Sequence, residues 1–178
     1  VVSEEVVARV AATLGTSTNR ARRLARTALP AGFVLQVARH RHVVLVEGAT
    51  DAAVLDVLLG GRLPVLAVGG KHLLPLAAAL AGAHGAVVDV VLDGDDGEGA
   101  GHRAREDSRR VRDALPGVPV HVLPGDLESC LARWPAFLAA LPGGLTKDAV
   151  AYARAATAAL ASEPPPELRA LRAAVLIP

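Results

Sequence analysis

The sequence lacks most of what marks a secreted or membrane-bound protein. It has one cysteine, Cys130, in 178 residues, which excludes an internal disulfide framework and suits a reducing compartment. The longest uncharged run, residues 72–88, contains His, Pro and Gly. It falls short of the roughly 20 apolar residues that a spanning helix needs. No basic region precedes an apolar stretch at Val1-Val2-Ser3-Glu4-Glu5, so no signal peptide is read and a cytoplasmic protein is expected. Aromatic residues make up only 2% of the chain, which argues against base stacking as a binding mode. Methionine is absent, and lysine occurs twice, at Lys71 and Lys147, against 17 arginines.

What is present is aliphatic. Hydrophobic residues reach 52%, with alanine at 36 positions, so a core of Val, Leu and Ala is expected and general disorder is excluded. The net charge of +1 hides an uneven distribution. Residues 1–42 carry seven Arg against two Glu, a net of +5. Residues 43–102 carry two basic and eight acidic side chains, a net of −6, and residues 103–178 ten basic and eight acidic, a net of +2. An acidic middle lies between basic flanks.

Helical spacing of Val2, Val6, Val7, Val10 and Leu14 opens the chain, and an arginine-rich helix over 20–29 follows the cap cluster at 16–19. Strands are predicted at 43–46, 64–68, 86–92 and 118–123, alternating with helices over 50–59 (N-capped by Thr50), 71–83 and from about 102 to 115. Strands separated by such helices imply βαβ units, a parallel four-stranded sheet and helices on both faces. After Pro124 the pattern is helical: 127–133, 135–141, 147–161 and 167–175, with Thr146 placed to cap the third. Three regions are expected, packed as one unit: a helical segment at 1–42, an α/β core at 43–133 and a helical appendage at 134–178.

Ligands of open parallel sheets bind beyond the carboxyl ends of the strands. There the four strands deliver Glu47-Gly48-Ala49-Thr50-Asp51, Gly69-Gly70-Lys71, Asp93-Gly94-Asp95-Asp96 and Pro124-Gly125-Asp126-Leu127-Glu128. Carboxylates gathered at one edge repel one another and call for a cation. An all-oxygen donor set without Cys or His favours Mg²⁺ or Mn²⁺ over Zn²⁺. Individually, Asp93-Gly94-Asp95 also suits a turn, and Asp51 and Glu128 also suit first-turn acids of helices. Lys71, at a helix start, opposes the dipole there, which hints at phosphate contact. The arginines at 20–26 and 103–112 are either solvated helix faces or phosphate contacts flanking the acidic centre.

At these residues the sequence resembles the Toprim domain of topoisomerases, primases, recombination mediators and OLD-family nucleases. Val44-Leu45-Val46-Glu47-Gly48-Ala49-Thr50-Asp51, Gly69-Gly70-Lys71 and Leu92-Asp93-Gly94-Asp95 carry that resemblance. Together with Gly125-Asp126-Leu127-Glu128, they look closest to the nuclease domain that follows an ATPase in the OLD (overcoming lysogenization defect) family. The resemblance covers residues 43–133 and extends loosely to about 160.

It implies a Toprim-like (Rossmann-like) α/β fold and phosphodiester hydrolysis with one or two Mg²⁺ or Mn²⁺ ions. Asp93, Asp95 and Glu47 would lie at one ion, and Asp51 and Glu128 around the second. Glu47 would also serve as base, Lys147, with Lys71 as the alternative, would stabilise the transition state, and Gly70 and Lys71 would bind substrate. The implied partner is nucleic acid, DNA ahead of RNA, read largely without sequence preference. The family's ATPase would be a further domain or partner. The phosphate-loop pattern is absent here: Lys71 follows Gly69-Gly70 but precedes His72. The chain is thus either a free-standing domain or a piece of an ATPase-nuclease. The alternative reading is a non-catalytic Toprim module that docks DNA within a repair or recombination complex. No membrane partner is expected, and oligomeric state stays open.

Overall fold

A computed structural model describes residues 2–94, 102–141 and 143–176. Four short apolar runs form the sheet: β1 (His42–Val46), β2 (Val65–Ala67), β3 (Val87–Asp93) and β4 (Val120–Leu123). All pair in parallel, in the order β2-β1-β3-β4. The two central strands are covered on both faces and therefore read as nearly continuous Val and Leu. Val43, Leu45, Val88, Val90 and Leu92 enter one core cluster, while Val44, Val46, Val91 and Leu123 enter the other. The protein is α/β, an all-parallel sheet between helical layers, consistent with a Rossmann-like fold.

The described helices are α1 (Glu4–Thr13), α2 (Thr18–Thr27), α3 (Phe33–Arg39), α4 (Ala49–Leu58), α5 (Leu74–Ala83), α6 (His102–Asp113), α7 (Leu127–Leu131), α8 (Pro135–Ala139), α9 (Ala149–Ala159) and α10 (Pro166–Leu176). Helices α1–α3, α5 and α6 bury side chains such as Val10, Ala21, Phe33, Leu80 and Val111 in the first cluster. Helices α4 and α7–α10 supply Leu55, Leu131, Phe137, Tyr152 and Leu168 to the second. Both helical ends of the chain therefore share cores with the sheet. Trp134 and Phe137 stack at 6.0 Å, and Phe137 meets Tyr152 edge-on at 5.6 Å. Among the described residues no helix is long and apolar enough to cross a membrane.

Three local expectations are corrected. Helix α3 was not foreseen: its seven residues bury only Phe33 and Val37, too few to establish a period. Thr50 does not cap α4. Gly48 occupies that position, and its amide is taken instead by the Asp51 carboxylate at 2.8 Å. Thr146 does not cap α9 either. Lys147 has φ +57°, which the helix cannot include, so the start moves to Asp148, whose carboxylate accepts from Val150 N and Ala151 N.

Candidate functional site

From β1 the chain passes to β2 on one side, whereas β3 lies on the other. The carboxyl ends of β1 and β3 thus flank a topological switch point, where open α/β sheets form their crevice. Glu47 follows β1 directly, and Asp93 is the last residue of β3. The loop after β2 is folded onto the same edge: the Gly69 and Gly70 amides both donate to the Glu47 carbonyl, at 3.0 and 3.1 Å. Gly70 has φ +139°, and a Cβ there would stand 3.1 Å from the His72 ring. Glycine is what lets the chain turn and deliver Lys71.

Two helix starts complete the edge. Asp51 lies in the first turn of α4. Asp126 caps α7 by accepting from Ser129 N at 2.7 Å and from the Ser129 hydroxyl, and Glu128 follows within the first turn. Helix N-termini favour such carboxylates. The Leu127 amide then donates to Asp93 Oδ1 at 3.2 Å.

Crowding shows in the acidities. The Asp93 carboxyl is pushed up to about 7, first by burial and then by the charges of Asp51, Glu47, Asp126 and Glu128. Asp51 is raised as well: burial leads, the Gly48 amide partly offsets it, and Glu128 adds to it. Asp126 goes the other way: burial raises it, but the hydrogen bonds from Ser129 and the Lys147 charge act against burial, and the net shift is downward.

Each lysine faces a carboxylate. Lys71 Nζ lies 3.6 Å from Glu47 Oε1, and Lys147 Nζ lies 3.6 Å from Glu128 Oε1. The Glu128 charge holds the Lys147 ammonium above the ordinary lysine range. The Lys147 side chain is 72% exposed, whereas that of Lys71 is 21% exposed. Lys147 also spends backbone energy: among the described residues it is the one non-glycine with positive φ, worth about 1–2 kcal/mol.

Of the residues singled out in the sequence, Glu47, Asp51, Asp93, Glu128, Gly70, Lys71 and Lys147 converge on this edge, and Asp95 lies outside the described residues. The four carboxylates come from the end of β1, the first turn of α4, the end of β3 and the first turn of α7, each engaged by an amide or an ammonium. Among the described residues, no three His, Cys, Asp or Glu side chains are gathered closely enough to hold one metal ion.

Sequence reasoning missed Ser108 and placed Asp126 at this edge without giving it a role of its own. Ser108, buried on α6, accepts from Lys71 Nζ at 3.0 Å and donates to the Asp93 carbonyl at 3.3 Å. It also missed a second polar cluster toward the opposite end of the sheet. There buried Asp89 on β3 receives His42 Nε2 at 2.5 Å on one oxygen and His121 Nε2 at 2.6 Å on the other. No local spacing links those three residues. Arg22 is withdrawn from the arginine face of α2, since Glu4 takes its Nε and Nη2. Cys130 is buried, and that burial pushes its thiol up to about 11, out of nucleophile range.

The chain matches no protein-family model and no curated protein. Function must therefore be argued from the chemistry of this edge.

Proposed function

We propose that the acidic edge binds Mg²⁺ or Mn²⁺, one or two ions, and hydrolyses phosphodiester bonds of nucleic acid, DNA ahead of RNA, as the resemblance to Toprim nucleases of the OLD family implies. The observation that carries this reading is the placement of Glu47, Asp51, Asp93 and Glu128 at the β1/β3 switch point, where burial and the neighbouring charges push the Asp93 carboxyl up to about 7. Crowded carboxylates at a switch point are costly unless a cation joins them, and a hard divalent ion fits an all-oxygen donor set. Glu47, Asp51, Asp93 and Glu128 would hold the ions. When bound, they supply charge for the phosphoryl oxygens and acidify water. Glu47 would take up the proton of the attacking water, Lys147 would swing its exposed ammonium onto the phosphate, and Gly70 with Lys71 would seat the substrate backbone. The arginines of the basic N-terminal segment would add phosphate contacts that do not read sequence.

Nicking of supercoiled plasmid in Mn²⁺ or Mg²⁺, abolished by EDTA, by Glu47→Gln and by Asp93→Asn, is the expected result. Nicking that survives either substitution would falsify the mechanism. DNA binding without any divalent-ion binding would make the domain a docking module of a repair or recombination complex instead.

A further inference from the structure

We infer that β4 is an open sheet edge that pairs with β4 of a second copy of this chain, joining the two sheets into one. The two ends of the sheet differ. β2, at one end, is half-buried along its whole length, and its Val65 and Ala67 pack on the second core cluster. β4, at the other end, leaves Val122 42% exposed. Val90 N donates to the Pro119 carbonyl and Gly94 N to that of Leu123. With the register Val90↔Val120 and Leu92↔Val122, this turns the backbone of residues 119, 121 and 123 toward β3. The N–H and C=O groups of Val120 and Val122 therefore point away from the sheet. Among the described residues no hydrogen-bond partner meets them.

Open edges are ordinarily blunted by charge, by proline or by a covering element. From Val120 to Leu123 there is no acidic residue, lysine, arginine or proline. His121 is turned to Asp89, and Pro119 is turned to β3, so neither protects the outer edge. The hydrogen-bonding pattern selects the occupant. A second β4, run antiparallel with a two-fold axis at His121, satisfies every outward group at once. Val120 of each copy then exchanges two hydrogen bonds with Val122 of the other. The same register sets Val122 across from Val120 of the second copy, a β-branched pair of the kind that stabilises antiparallel ladders.

The helix beside the edge suits the same axis. With His121, Val122, Leu123 and Pro124, α10 lines a groove of about 350 Å³. Ala170 and Ala174 face that groove from the helix, one turn apart and both exposed. The two-fold brings Ala170 of one copy toward Ala174 of the other, with no bulky or charged side chain between the two helices. Strand and helix are only about 13 and 17 Å long, so the shared face is smaller than the roughly 800 Å² per partner of a standard interface. The dimer is thus reversible, with a micromolar dissociation constant. The acidic edge takes no part in it.

Sedimentation equilibrium of the full chain, from about 1 to about 500 µM, should show monomer passing to dimer. Val122→Lys places a charge on the edge, and Ala170→Glu places one between the helices. Each should raise the dissociation constant about tenfold or more, with circular dichroism melts to verify folding. Val150→Lys, at an apolar side chain of α9 that is 61% exposed, should leave it unchanged. Amide hydrogen exchange of wild type needs no variant: the Val120 and Val122 amides should slow as the dimer fills. A chain that stays monomeric throughout overturns the inference. So does a dimer that keeps those two amides fast or is indifferent to both substitutions on this face. Slowing of the two amides in a monomer by an added extended peptide would make another protein's strand the occupant, and the second copy would fall.

Discussion

Asp93 Oδ1 accepts the Leu127 amide at 3.2 Å, so the end of the central strand β3 is tied to the first turn of α7 through the carboxyl whose charge is most strongly opposed. This bond orients Asp93 and also brings Asp126 and Glu128 within electrostatic reach of it. The contact that builds the site raises the acidity problem the site must solve.

The first expectation concerns pH. A carboxyl raised from its unfolded value near 4 to about 7 in the fold is protonated in the native state while already ionised in the unfolded chain. The unfolded state then binds fewer protons, so stability falls as pH rises from about 4 to about 7. Asp93 alone accounts for about 2–4 kcal/mol of that fall at 1.36 kcal/mol per unit. Urea melts in EDTA between pH 4.5 and 8 should show wild type losing stability relative to Asp93→Asn over this window. Parallel curves for the two proteins would remove the assigned cause.

Lys147 separates chemistry from folding. Its side chain is 72% exposed, and exposed pairs contribute about 0–1 kcal/mol. Lys147→Ala should therefore leave the melting temperature nearly unchanged while slowing plasmid nicking on the order of 10²-fold. An unchanged nicking rate would exclude Lys147 from the reaction.

Gly70 should tolerate no side chain. With φ +139° and the His72 ring 3.1 Å from the position of a Cβ, Gly70→Ala should cost about 1–3 kcal/mol and move Lys71 away from Glu47. Thermal melts report the first effect and Mn²⁺ titration the second. A variant as stable as wild type would mean that this backbone conformation is not required.

The cluster of His42, Asp89 and His121 should respond asymmetrically. Asp89→Asn removes the charge and keeps a polar group for the imidazoles, a loss of about 1–3 kcal/mol. The double variant His42→Ala with His121→Ala strands a buried carboxylate and should lose about 3–5 kcal/mol. Urea denaturation at neutral pH orders the two. A double variant as stable as Asp89→Asn would mean that Asp89 does not depend on these histidines.

The sheet and its acidic edge were legible because both are written locally. Runs such as Val43-Val44-Leu45-Val46 specify a strand buried on two faces, and Glu47 and Asp93 follow such runs immediately. The arginine-rich α6 was also readable. What escaped was set by contacts distant in sequence. Ser108 looks like an ordinary polar helical position until Lys71 and the Asp93 carbonyl meet it. Asp89 looks like an interruption in an apolar strand until His42 and His121 approach from its neighbours. The caps at Gly48 and Asp148 escaped because Asp51 and the positive φ of Lys147 override local cap preferences.

Because arginine replaces lysine everywhere else, the primary side-chain amines of this chain are confined to Lys71 and Lys147, both seated on carboxylates of one edge. Apart from the α-amino group, acylating reagents therefore have only that edge to modify. Any modification that neutralises lysine, enzymatic acetylation included, would act on the site without touching the arginine surface.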